Sequence, residues 1–246
     1  MTDEISNLEK DRPDVWKAHQ LFGFIEDCWN NTLAVAANKN VAASRLASID
    51  RIFDDFHRSL KPDKSSQIVP ALLFLRAFSA YRASVLVSLC LPTDSYALFR
   101  SCLENAGYAR LIADDTKLSE SWLKRDDDEA SRKLIRRTFT QTAVRDSIAA
   151  QDAKLAEVYQ TLYERCIDFG AHPNEKAVTI SLVKESLKTK TLQFKLLSGD
   201  GPALDHSLRT AAQVGICTLK VTGSIFEKQF NAEGFFQRIE EAAKGL

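Results

Sequence analysis

The chain has 246 residues, 45% of them hydrophobic, which is enough for one large or two small packed domains and too many for a disordered polymer. Basic and acidic side chains balance at 33 each, which excludes a general polyanion binder and confines any nucleic-acid surface to a local patch. Cys28, Cys90, Cys102, Cys166 and Cys217 form no CxxC pair and no cysteine–histidine cluster, so no disulfide framework, zinc site or other cofactor is expected, and a reducing cytoplasm is the expected compartment.

The polar, acidic start, MTDEISNLEKDRPD, has the character of neither a signal nor a transit peptide. Helical periodicity then predicts a helix over 15–38, carrying Trp16, Leu21, Phe24, Ile25, Cys28 and Trp29. A second, over 41–60, places Leu46, Ile49, Ile52, Phe53 and Phe56 on one face before KPDKSS breaks it. The apolar stretch over 67–91 is long enough to cross a bilayer, but Arg76 and Arg82 interrupt it. Each arginine near a bilayer centre costs about 2.5–3.5 kcal/mol. The segment therefore reads as a central bundle helix whose arginines pair with acids, and no membrane partner is expected.

Pro92 opens the next helix, with Thr93 or Asp94 as its cap. A short helix over 118–124 carries Trp122, and the acidic run Asp126 to Glu129 suits the N-terminus of a following helix through RKLIRRTFTQTAVRDSI. Residues 153–169 show the stripe Leu155, Val158, Tyr159, Leu162, Cys166 and Phe169, with Gly170 and Pro173 stopping the helix. The Thr-, Val- and Phe-rich stretch over 178–200 predicts a small β-hairpin insertion. Pro202 restarts a long helix to about residue 230, within C-terminal helices reaching 244. No repeat or linker divides the chain, so 1–246 reads as a single all-α domain.

Arg165 and His172 stand seven positions apart across the stop in YERCIDFGAHPNEKA. Extrapolated at 100° per residue, they return to within about 20° of one another on the helix surface. A histidine near its ordinary pKa can move the 2′-hydroxyl or leaving-group proton in RNA cleavage, and a guanidinium can grip the phosphate, with no metal required. The simpler alternative is a cation satisfying loose helix-end carbonyls and a histidine capping a loop.

Two stretches, FRSCLENAGY and YERCIDFGAHPN, carry a resemblance to the HEPN superfamily. Its members are small α-helical bundles, often dimeric, and many are metal-independent endoribonucleases whose hallmark is an arginine and a histidine near a helix end. The likeness is closest to a branch of bacterial HEPN-like proteins with an R-x-x-x-E helix and a later tyrosine-bearing helix ending near His-Pro. It covers about 92–177. The resemblance implies RNA as substrate, catalysis by Arg165 and His172 at a homodimer interface, and Arg100 and Glu104 as supporting residues. A non-catalytic protein- or RNA-interaction module of the same fold is the other reading.

Arg100 and Glu104, at i and i+4, form either a plain intrahelical ion pair or a group orienting a buried arginine such as Arg82 or Arg165. Arg132, Lys133, Arg136 and Arg137, joined by Lys184, Lys188, Lys190 and Lys195 of the expected hairpin, form either an RNA-facing patch or a solvated charged face. His19, His57 and His206 have no metal-ligand spacing, and no phosphate-binding glycine loop is present.

Overall fold

Residues 14, 19–113, 115–173, 175–182, 193–197 and 199–246 are described in the computed structural model, and among them the chain is all-α apart from one isolated β-bridge. Among the described residues, helix α1 (Gln20–Asn38) hands over through Lys39 to α2 (Asn40–Ser59). The expected start of α1 at residues 15–18, with Trp16, lies outside the described residues. The apolar segment becomes α3 (Ile68–Ser88), and a turn through Pro92 leads to α4 (Ser95–Ala113). Helices α5 (Thr116–Leu123), α6 (Glu129–Thr138), α7 (Gln141–Ala149) and α8 (Ala153–Cys166) follow. After the short α9 (Glu175–Thr179) come α10 (Pro202–Gly223), α11 (Glu227–Ala232) and α12 (Phe235–Ala243).

The bundle is built around α3, α4 and α10, which pack on one another, with α2 and α12 on one flank and α7 and α8 on the other. Phe56 joins the first flank to the centre. Its ring lies 4.8 Å from Phe74, 4.6 Å from Phe230 and 5.7 Å from Phe235. Tyr159 performs the equivalent role for α8, fully buried with its hydroxyl donating to the Leu103 carbonyl at 3.3 Å. Gly107 of α4 lets that ring in, because a Cβ there would sit 2.6 Å from the Tyr159 hydroxyl and 2.4 Å from Val144.

Half of the apolar α3 segment is buried within this bundle. Arg82 is ion-paired as expected, donating to both Asp50 oxygens at 2.8 and 2.9 Å and lying 4.2 Å over the Phe78 ring. Arg76 is exposed and makes no ion pair among the described residues.

Two expected helices are each divided. The RKLIRRTFTQTAVRDSI helix breaks between Phe139 and Thr140. There Phe139 packs into the bundle against Tyr108, whose hydroxyl donates to the Phe139 carbonyl, and Thr140 caps α7 through the Ala143 amide. Asp128, from the acidic run, caps α6 through the Ser131 amide at 2.7 Å. The long C-terminal helix ends at Gly223 because the Ser224 and Ile225 carbonyls accept from Arg110 and Gln67 instead of the next helical turn.

The hairpin region begins as helix, not strand, at α9. A single antiparallel bridge joins Leu182 to Phe194, supported by the Lys195 amide donating to the Ser181 carbonyl at 2.8 Å. Residues 183–192, with Lys184, Lys188 and Lys190, lie outside the described residues.

Candidate functional site at the end of helix α8

Asp152 starts α8 by accepting from the Leu155 amide, and the buried face Leu155, Tyr159, Leu162, Tyr163 and Cys166 fixes the helix against α4 and α10. Past Cys166 the backbone widens into a single π-helical turn, Ile167–Ala171, and reverses at Gly170, where φ is 156°. A Cβ at Gly170 would sit 2.2 Å from the Thr93 carbonyl oxygen, so glycine is required there by the close approach of the α3–α4 turn. His172 follows in an extended conformation, exposed, with Nδ1 3.2 Å from the Pro173 carbonyl oxygen.

Arg165 points across to α10. Its guanidinium donates to Gln213 Oε1 at 2.6 Å and to Thr210 Oγ1 at 3.4 Å. It is half-buried and has no carboxylate partner among the described residues. It lines an open cleft of about 660 Å³ between α8, α10 and α12, together with Leu162, Gln213, Ile216 and Lys220. His172 is not among the residues lining that cleft. The wheel extrapolation from Arg165 to His172 does not survive the π turn and Gly170, which carry the chain off the α8 axis.

The histidine that shares Arg165's surroundings is His206, on α10 one turn before Thr210. Its ring lies 4.9 Å from Phe169 and 6.4 Å from Tyr96, and its buried Nε2 has no hydrogen-bond partner among the described residues. Burial first, then the positive charges of Arg165 and Arg209, hold its pKa below the ordinary imidazole value. Burial also pushes the neighbouring Tyr96 phenol up to about 12. Spacing along the chain does not connect His206 with Arg165. The antiparallel register of α8 and α10 does, since Arg165 meets Thr210 and Gln213 while Phe169 meets His206.

Arg100 and Glu104 do join the tyrosine-bearing helix. Arg100 Nε donates to Glu104 Oε1 at 2.8 Å, the Tyr163 hydroxyl donates to the same oxygen at 3.1 Å, and the guanidinium lies 5.1 Å from the Tyr163 ring centre. The carboxylate thus ties α4 to α8 and does not bond Arg82 or Arg165, whose partners are Asp50 and Gln213. Cys166, beside this network, has its thiol pushed up to about 12 by burial, so it is no nucleophile.

The basic segment lies on α6. Arg132 pairs with Asp126 and Glu129 at 3.4 and 3.9 Å. Lys133, Arg136 and Arg137 are exposed, without ion pairs among the described residues. No group of three metal-ligating side chains occurs among the described residues. Comparison of the chain with family models, curated proteins and solved structures returns no match, so its functional reading rests on these side chains.

Proposed function

We propose that this chain is a HEPN-like RNA-interaction module in which Arg165 holds a backbone phosphate. The observation supporting this reading is the guanidinium itself: half-buried, oriented by Gln213, unpaired with any carboxylate among the described residues, and facing an open cleft. Leaving such a charge without a counter-ion is unfavourable, and an anion entering the cleft relieves it. A guanidinium whose two neutral hydrogen bonds, to Gln213 and Thr210, both leave from one terminal nitrogen keeps its other N–H groups for a phosphate fork. Lys133, Arg136 and Arg137 supply a second, solvent-facing set of cations for the same polyanion.

Cleavage by Arg165 and His172 is the second reading. Its supporting observation is that His172 is exposed on a turn fixed by Gly170. It requires both groups at one phosphodiester. The commitment of Arg165 to α10 favours binding over cleavage within one chain, leaving cleavage to a site shared between two copies.

Fluorescence anisotropy with single-stranded RNA in EDTA tests both readings. Replacing Arg165 by Gln is expected to weaken binding about tenfold or more, the worth of a charge-assisted hydrogen bond. Replacing Lys133, Arg136 and Arg137 together by Gln is expected to flatten the salt dependence by about 0.7 for each phosphate no longer neutralised. Absence of binding by a folded wild-type chain refutes the proposal. Metal-independent cleavage that disappears in a stably folded His172→Ala variant replaces the binding reading with the catalytic one.

A further inference from the structure

We infer that α3 forms an antiparallel pair with α3 of a second copy of this chain, centred on Ser79. The outward face of α3 repeats in alternating steps of four and three residues: Ile68, Leu72, Leu75, Ser79, Arg82 and Leu86. Such a repeat is the seam of a helix–helix pair, and here it faces solvent. Ile68, Leu72, Leu75 and Leu86 are 52%, 53%, 36% and 54% exposed. The seam runs about 27 Å along the helix at 1.5 Å per residue. Exposed apolar side chains aligned in this way on both sides of Ser79 and Arg82 mark an interaction site.

The pattern is self-complementary, which a twofold contact demands and a foreign partner does not. Leu72 and Leu86 each lie seven residues from Ser79, Leu75 and Ala83 each four, and Arg76 and Arg82 each three. With Ser79 on the twofold axis, Leu72 of one copy meets Leu86 of the other, and Leu75 meets Ala83. The small side chains at Ser79 and Ala83 let the helices approach closely.

A receiving groove lies beside Leu86. It has a volume of about 430 Å³ between α2 and α3 and is lined by Ala43, Leu46, Ala47, Val85 and Leu89 among others. Leu72 and Ile68 of the second copy arrive at this groove. Charge fits as well. Arg82 is already neutralised by Asp50 and Asp54, so the approach of Arg76 brings no bare like-charge contact. Arg76, unpaired among the described residues, gains access to the partly exposed Asp50 at the groove's edge.

The bundle faces of α3 pack mainly on α2, α4 and α10, whereas α8 packs mainly on α4, α7 and α10. The seam is therefore separate from the Arg165 cleft, and the inference does not rest on the RNA reading.

Sedimentation velocity of the full chain tests it. The wild type is expected to dimerise at micromolar concentration, and Leu72→Glu or Leu86→Glu to weaken the dimer about a hundredfold or more, by burying a carboxylate opposite leucine. Their circular dichroism spectra are expected to match the wild type. Ser79→Cys is expected to join to its own copy through a short bis-maleimide, whereas the wild type with its native cysteines does not. A wild type that stays monomeric, a dimer indifferent to both glutamates, or a Ser79→Cys chain that fails to cross-link overturns the inference. If the glutamate variants do not fold, the cross-link alone decides.

Discussion

Gly107→Ala reverses the usual effect of replacing a helical glycine. In an unobstructed helix the change stabilises by about 0.5–1 kcal/mol, because alanine loses less conformational entropy on folding. In α4 the added methyl meets Val144 Cγ1 at 2.4 Å and the Tyr159 hydroxyl at 2.6 Å, separations that real carbon contacts do not tolerate. Both neighbours are fully buried, so neither has room to withdraw. Overpacking of this kind costs about 1–3 kcal/mol, and displacing the Tyr159 hydroxyl from the Leu103 carbonyl adds about 1 kcal/mol. Subtracting the propensity gain leaves a net loss of about 1–3 kcal/mol, or about 2–12 °C in Tm for a chain of this size. Gly23→Ala in α1 is the matched control. Its added methyl meets nothing within 4 Å, and Tm is expected to rise by about 1–4 °C. Urea titration followed by far-UV circular dichroism measures both. A Gly107→Ala chain at least as stable as wild type would show that α4, α7 and α8 do not close on this position as described.

His206 adds a pH dependence of definite sign. Its folded-state pKa is held below the ordinary imidazole value, so its contribution is fully present above about pH 6.5 and is lost as pH falls toward the folded value. His206→Phe, which keeps a ring beside Tyr96 and Phe169, is expected to melt higher than wild type at about pH 5 and to lose part of that advantage at about pH 8. An advantage independent of pH refutes the assignment. Removing Glu104 leaves the Arg100 guanidinium and the Tyr163 hydroxyl without their shared acceptor, so Glu104→Ala is expected to destabilise by about 1–2 kcal/mol, and Tyr163→Phe by about 1 kcal/mol or less. Denaturant titrations in which Glu104→Ala is neutral would reduce the network to a surface ion pair.

Helix positions were legible where one apolar stripe met one clear stop. Leu46, Ile49, Ile52, Phe53 and Phe56 of α2 all prove buried, and Gly170 does end the α8 path. The breaks at Phe139 and Ser224 were not legible. No glycine or proline marks the first, and at both the carbonyls are captured by Tyr108, Arg110 and Gln67 from distant helices. The site divides in the same way. Arg100 with Glu104 was readable from spacing on one helix, whereas their bond to Tyr163 depends on how α4 and α8 dock. Arg165 was singled out with His172 by spacing alone, but its surroundings belong to α10. His206 could be found only from the register between those helices, and no local motif announces it.

The tight fit of Gly170 against the Thr93 carbonyl also makes this helix end a natural ledger of selection. Position 170 admits a single residue type as long as the α3–α4 turn keeps its path, whatever the protein does. Position 172, exposed two residues later, carries no such steric demand. Among descendants of a common ancestor, drift at 172 with glycine retained at 170 marks a helix end kept for its shape alone. Retention of both records a demand that packing does not impose.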